Sequence, residues 1–291
     1  MKRIIFAVVL GVLSPAVAQV SFTPTASTNP KVRAITGFVR LDRTTYQKQI
    51  VDALAVLRRV KAEFESSGYE VQSVRVTTQP LAELVAGMSE DQALTFLGQL
   101  DEFSVKENFL PNVGPGSLHD TDDPATMHLL ERALSTLPNI EGSTIIADEA
   151  GIHWETIRRT AELVKYVSEH SPHSKGTFNF AATAMLKPFA PFFPGSYHTG
   201  AGRQFTVGFE GANVVRDVFT KDKGNTEAAL ADLTGALTKH ASVAAAVPSS
   251  VEVSMASPLK SVARSSADTA LLPPLPNALE SFVPRPSSQS R

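Results

Sequence analysis

The chain has 291 residues, 27 basic and 29 acidic side chains, a formal net charge of -2 and no cysteine. That composition excludes a disulfide framework, a thiolate zinc site, an iron–sulfur cluster and a cysteine nucleophile. It has no basic excess to neutralise a phosphate backbone and so argues against a nucleic-acid partner. The length suits one large domain or two small ones.

Met1, Lys2 and Arg3 form a basic start, residues 4–13 an apolar run, and Ala16-Val17-Ala18 a small-x-small site. This pattern predicts a secretory signal peptide over residues 1–18, cleaved after Ala18, and a secreted or periplasmic protein. The run is shorter than the about 20 residues a spanning helix needs, and no later stretch is apolar enough to cross a bilayer. Residues 19–30 read as a polar linker.

A β-rich segment over 31–41 opens the folded part. A helix is predicted over 44–65, with Tyr46, Ile50, Leu54, Leu57 and Phe64 on one stripe and Gly68 as its stop. Val71, Val74 and Val76 alternate with polar residues and predict a strand over 70–78. Ser89 with Gln92 three residues on predicts a capping box, opening a helix striped by Leu94, Leu97, Leu100 and Phe103. A short strand over 108–113 leads to Gly114-Pro115-Gly116. Asp123-Pro124 predicts a cap and first-turn proline for a helix to about 137.

The alternation continues with a strand over 143–147, a helix over 154–169 and strands over 176–186 and 204–209. One or two helices over 214–246 follow, broken at Lys223-Gly224-Asn225. Strands alternating with helices predict an α/β fold built on a parallel sheet. The domain is expected over 31–247. Residues 248–291 are rich in serine and proline, hold one aromatic, Phe282, and read as a disordered tail. A docked tail anchored by Leu271, Leu272 and Phe282 is the alternative.

Three clusters can carry chemistry. Residues 176–210 hold eight aromatics: Phe178, Phe180, Phe189, Phe192, Phe193, Tyr197, Phe205 and Phe209. Pro188, Pro191 and Pro194 stiffen the segment between its strands. Such a segment either walls a ligand pocket or caps the core. His198 then precedes Gly200, Gly202 and Arg203: glycines that free backbone N–H groups for an anion, a guanidinium for a carboxylate or phosphate, and an imidazole for a proton. The bland reading is a glycine-rich turn. Third, Glu149 and His153 lie four apart after a strand. They suit an acid/base pair or metal ligation unless Gly151 breaks the turn, in which case Asp148 or Glu149 caps the helix. No metal set is assigned, because the second histidine of an HExxH pattern is missing. Asn179 in an aromatic strand is expected to face the interior and touch ligand, with Glu210 as a similar candidate. His119 to Asp123 form another strand-end loop, His170 and His173 read as solvated, and His240 as a surface residue.

The segments VRAITGFVRL (32–41), FLPNVGPG (109–116), IIADEAGIHWETIRRTAELV (145–164), FNFAATAMLKPFAPFFPGSYH (178–198) and FTVGFEGANVVRDVF (205–219) resemble domain-of-unknown-function family 711, the "PFL family" proteins. The resemblance implies a parallel-strand barrel with outer helices, related to pyruvate formate-lyase and the glycyl radical enzymes. It implies no catalytic assignment. The chain has no cysteine for a thiyl radical and no glycine beyond Gly235, so radical chemistry is not expected. Family members tend to continue with further structured sequence, so the expectation is either a C-terminally shortened barrel or a reading frame that diverges near residue 250, and a shortened barrel's open edge favours an oligomer of identical chains or poor stability.

The function expected is a radical-free enzyme acting on a small anionic metabolite by proton-transfer or lyase-type chemistry. His198, Glu149 and His153 are the acid/base candidates. Arg203, Gly200 and Gly202 hold the anion, and Tyr197, Phe192, Phe193 and Asn179 line the substrate. The alternatives are a binding protein using the same pocket and an inactive remnant; no cofactor is assigned.

Overall fold

A computed structural model describes residues 29–190 and 194–253. The expected signal peptide, most of the linker, Phe192, Phe193 and the tail beyond residue 253 lie outside the described residues. The elements in order are β1 (Lys31–Val39), α1 (Tyr46–Ser66), β2 (Val74–Thr77), α2 (Leu81–Leu84), α3 (Glu90–Glu107), β3 (Leu110–Pro115), α4 (Pro124–Thr136), β4 (Glu141–Asp148), β5 (Gly151–Ile152), α5 (Trp154–His170), β6 (Phe180–Ala184), β7 (Arg203–Glu210), α6 (Ala212–Lys221) and α7 (Thr226–Val253).

The local signals act as their chemistry requires. The Ser89 hydroxyl accepts from the Gln92 N–H and the Gln92 side chain accepts from the Ser89 N–H, closing both ends of the capping box. Asp123 accepts from the Ala125 N–H, with Pro124 in the first turn of α4. α6 and α7 separate around residues 222–225, and α7 continues past residue 247 to Val253.

The seven strands form one mixed sheet. β1, β2, β3, β4 and β6 are parallel and lie side by side in chain order. β7 is antiparallel to β1 at one edge, and β5 is antiparallel to the end of β4. The expectation of a wholly parallel sheet is therefore corrected. Parallel neighbours need a crossover that carries the chain back to the starting end. After β6 no such helix occurs. Residues 185–190 and 194–202 lie at the C-terminal ends of the parallel strands, and β7 starts at that end and runs down. Among the described residues no pairing joins β6 to β7, and the sheet is open.

The strand expected over 176–186 is shorter than the sequence suggested. Residues Pro172–Asn179 form 3-10 turns, and only Phe180–Ala184 pair with β4. Pro172 opens these turns, and His173 and Ser174 adopt positive φ. α2 and β5 were not anticipated; neither is long enough to show a period.

The core lies between the helices and one sheet face. Ile35, Val39, Val76 and Val113 face it from the strands, and Leu54, Leu57, Leu97, Leu130 and Leu163 from the helices. Glycines allow close approach: a Cβ on Gly37 would meet Leu57, and one on Gly142 or Gly116 would meet Leu130. By strand alternation, Thr36 and Phe38 of β1, Arg75 and Thr77 of β2, Glu141 and Ser143 of β4 and Thr206 of β7 point to the opposite face. All of these are buried.

Candidate active site at the strand ends

Residues 185–190 and 194–202 lie as a strap over the C-terminal ends of the parallel strands. Lys187 ion-pairs with Glu149 beyond the end of β4. The Phe189 ring packs edge-on against Phe38 of β1 at 5.3 Å and against His198 at 5.4 Å. Its N–H donates to the Tyr197 carbonyl at 3.0 Å. Asn112 of β3 donates to the Pro194 carbonyl, and the His198 N–H donates to the Thr78 carbonyl at 2.8 Å. An apolar segment can sit here because its backbone polar groups find strand-end partners.

The eight aromatics do not gather at one place. Phe205, Phe209 and Phe180 pack toward the helix-side core, and Phe178 is exposed before β6. Phe189 and Tyr197 are the aromatic residues of the strap that the structure describes at the strand ends.

At the end of β4 the chain makes a tight turn. The Ala150 N–H donates to Asp148 Oδ1 at 2.8 Å, and Gly151 has φ +131°, a backbone glycine adopts readily. Gly151 thus breaks the helical spacing between Glu149 and His153. Glu149 turns outward to Lys187, and the carboxylate that reaches His153 is Asp148. The His153 N–H donates to the Ile146 carbonyl at 2.9 Å, folding the buried ring back onto β4. Nδ1 lies 2.9 Å from the Ile145 carbonyl and Nε2 3.2 Å from Asp148 Oδ1. A carbonyl only accepts, so Nδ1 carries a proton, and Nε2 is the nitrogen that faces the Asp148 carboxylate.

Further groups converge there. The His119 ring lies 6.0 Å from that of His153. Asp120 accepts from the Thr156 N–H at 2.8 Å, tying the loop after β3 to the start of α5. The Ala150 N–H, together with His153 and His119, holds the Asp148 carboxyl below the usual range despite some desolvation. Burial pushes the Asp120 carboxyl up, but Thr156, Glu155 and His153 outweigh it and the net direction is down. The Tyr197 phenol is raised, first by burial and then by the charge of Asp148. This places Tyr197 within the field of Asp148. Among the described residues no group of three histidine, aspartate or glutamate side chains converges as a metal ion would need.

The other expected residues lie elsewhere. Gly200 and Gly202 have φ +74° and +97° in an exposed turn. Arg203 starts β7 opposite Val39, half-exposed, with its guanidinium 3.8 Å from Asp52 of α1. It shares the end of the sheet with Asp148 but sits four strands away, about 19 Å along it at about 4.8 Å per strand. His198 is fully buried, its Nε2 3.0 Å from the Gly202 carbonyl, and its Nδ1 has no hydrogen-bond partner among the described residues. Burial lowers its pKa, with Arg40 adding to the effect. Asn179 does not face a barrel interior. It sits before β6, at the opposite end of the sheet, and donates to the Pro138 carbonyl at 2.9 Å. His240 is buried rather than on the surface, with Nδ1 2.8 Å from the Tyr69 hydroxyl.

Sequence reasoning missed Asp148 as the partner of His153, Lys187 as the partner of Glu149, and the buried pair Arg75 and Glu141. Burial pushes Glu141 up to about 8 against the attraction of Arg75 and Arg33. Burial also pushes Arg75 down to about 10, with Glu141 opposing. A signal existed: inner strands of a parallel sheet are apolar on both faces, and Arg75 in VRVT and Glu141 in EGSTIIA break that rule.

The family model described as "Uncharacterised ACR (DUF711)" matches residues 25–283, past the expected domain end at residue 247. A relative named "UPF0210 protein", from Pyrobaculum islandicum, is 24% identical over 184 residues. The match takes in 60% of this chain and 39% of that protein, so the chain spans about two-fifths of the relative's length.

Proposed function

The chain belongs to the uncharacterised DUF711 family, and on that premise we propose that it is an exported enzyme that moves a proton on a small anionic metabolite, in a proton-transfer or lyase-type reaction. The observation that carries this reading is His153, held by the Ile145 carbonyl at Nδ1 and facing Asp148 at Nε2. A buried imidazole oriented by a backbone acceptor and backed by a carboxylate is equipped for general acid–base work. Its place supports the same reading, since α/β sheets take ligands at the carboxyl ends of their strands.

In this reading His153 Nε2 carries the proton, Asp148 orients the ring and balances its charge, and the Tyr197 phenol is the second proton-bearing group. Tyr197 walls the site, and Phe189 lies farther along the strand ends at β1. Lys187, beside Glu149, is the nearby cation for the substrate's anionic group, and Arg203 with the Gly200–Gly202 turn serves a substrate that extends along the strand ends. Export rests on residues 1–18 and is checked by mass analysis of the mature N-terminus, which should begin at Gln19.

The test is hydrogen exchange in deuterated water. The full chain is incubated with a panel of small 2-hydroxy and 2-oxo carboxylates, and loss of C–H signals is followed by NMR. One member should exchange, with the rate falling about 10²–10⁴-fold in His153→Asn and less in Asp148→Asn. Exchange on no panel member, or exchange untouched in a folded His153→Asn protein, overturns the reading. Stabilisation by these anions without exchange would make the protein a binder.

A further inference from the structure

A cavity of about 330 Å³ lies at the starting ends of the parallel strands, away from the strand-end site. Leu134, Leu137 and Pro138, between α4 and β4, form one wall, and Pro172, Gly176 and Asn179, between α5 and β6, form the other. The two walls are fixed against each other. A Cβ on Gly176 would stand 2.2 Å from the Leu134 carbonyl oxygen, so the 3-10 turns press directly on the end of α4. The Gly176 N–H donates to Ser171 Oγ at 3.0 Å, and the Ser171 hydroxyl donates to the Val167 carbonyl of α5 at 2.7 Å. Asn179 is 7% exposed. Its Nδ2 donates to the Pro138 carbonyl at 2.9 Å, and its Oδ1 has no hydrogen-bond partner among the described residues.

We propose that this cavity binds a small neutral apolar molecule carrying one hydroxyl group, a monocyclic phenol being the type.

The walls select the body of the ligand. Leu134, Leu137, Pro138 and Pro172 are apolar, and the volume falls at the low end of the range for small-molecule sites. The polar groups select its handle. Asn179 Oδ1 is an acceptor, and the cavity is the space left to it; a buried acceptor without a donor is costly, so a donor belongs there. The hydroxyls nearby are already committed: Ser135 and Thr136 donate to the Glu131 and Arg132 carbonyls of their own helix, and Ser171 donates to Val167. The last carbonyls of α4 find no partner inside the helix and add further acceptors. An occupant must therefore bring the hydrogen. The ammonium of Lys175, exposed at the cavity, disfavours a cationic donor. A carboxylate has no hydrogen for Asn179 Oδ1. A hydroxyl donates to that oxygen and keeps lone pairs for an ammonium, which an indole N–H does not.

The test is an amide NMR titration of the isotopically labelled full chain with p-cresol, with toluene as the control lacking the hydroxyl and benzylamine as the cationic control. With p-cresol, amides of Leu134 to Leu137 and of Gly176 to Asn179 should shift saturably. Toluene should bind about tenfold more weakly, the worth of one hydrogen bond, and benzylamine should not saturate. Asn179→Leu should weaken p-cresol about tenfold and leave toluene no weaker, a difference that a merely structural role would not produce. Leu137→Phe, which narrows the cavity without touching the Pro138 contact, should weaken both and stays informative if Asn179→Leu does not fold. His153→Asn should bind p-cresol as the wild type does, which separates failure here from failure of the strand-end reading. The proposal is overturned by p-cresol shifts that do not saturate or that lie elsewhere in the chain, by p-cresol binding no more tightly than toluene or benzylamine, or by unchanged p-cresol affinity in either folded cavity variant.

Discussion

Replacing Glu141 by Gln keeps the shape of the side chain and removes its ability to ionise, so it isolates the cost of a buried carboxyl. In the native protein burial raises this group from 4.5 to about 8. Between those values the folded state holds a proton that the unfolded chain releases. Stability therefore falls as pH rises through this window and levels off above it; below about pH 4.5 both states are protonated and the penalty vanishes. At about 1.36 kcal/mol per pH unit the full penalty is roughly 5 kcal/mol, and relaxation around the charge reduces it to about 2–5 kcal/mol. Urea unfolding followed by far-ultraviolet circular dichroism, from about pH 5 to about pH 9, gives the two stability curves. The stability of Glu141→Gln relative to wild type should increase with pH by that amount. His198 and His240, whose pKa values burial lowers, weaken both proteins alike on acidification and cancel in the difference. Parallel curves, or a difference that grows toward acid, would refute the reasoning.

Leu130→Ala should cost about 2–5 kcal/mol in urea unfolding, because this fully buried side chain fills the space above Gly116 and Gly142. Gly114→Ala should cost more than about 2 kcal/mol by the same measurement: its φ is +72° and a Cβ would stand 2.5 Å from the Gln79 carbonyl oxygen. His240→Leu leaves the buried Tyr69 hydroxyl without its partner and should lower stability by about 1–3 kcal/mol at neutral pH. His240 is lowered by burial first and Lys239 second, so its contribution is present above the unfolded histidine pKa and is lost as pH falls. Thermal melts at about pH 7 and about pH 5 should therefore show a smaller acid loss in the variant than in wild type.

The strand-end site was half legible in the sequence. The stretch from Asp148 to His153 stands out because carboxylates and an imidazole follow a strand. Which carboxylate meets the ring depends on the backbone at Gly151, and its positive φ turns Glu149 outward and leaves Asp148 facing His153. The glycine turn and Arg203 read as part of the same site because they are near Tyr197 in the chain. The strap crosses the sheet between them, and sequence distance does not report that.

What the sequence determined by itself is local. Apolar stripes at helical spacing, the Ser89–Gln92 box, the Asp123-Pro124 start and the Gly-containing break between α6 and α7 act within a few residues, and each forms where its chemistry placed it. The direction of β7, the burial of His240 against Tyr69 and the polar array around Arg75 and Glu141 were decided by tertiary structure. Strand alternation tells which residues share a face but not which face meets water. An Arg or Glu at an alternate position looks like a solvated side chain until the folded structure buries it.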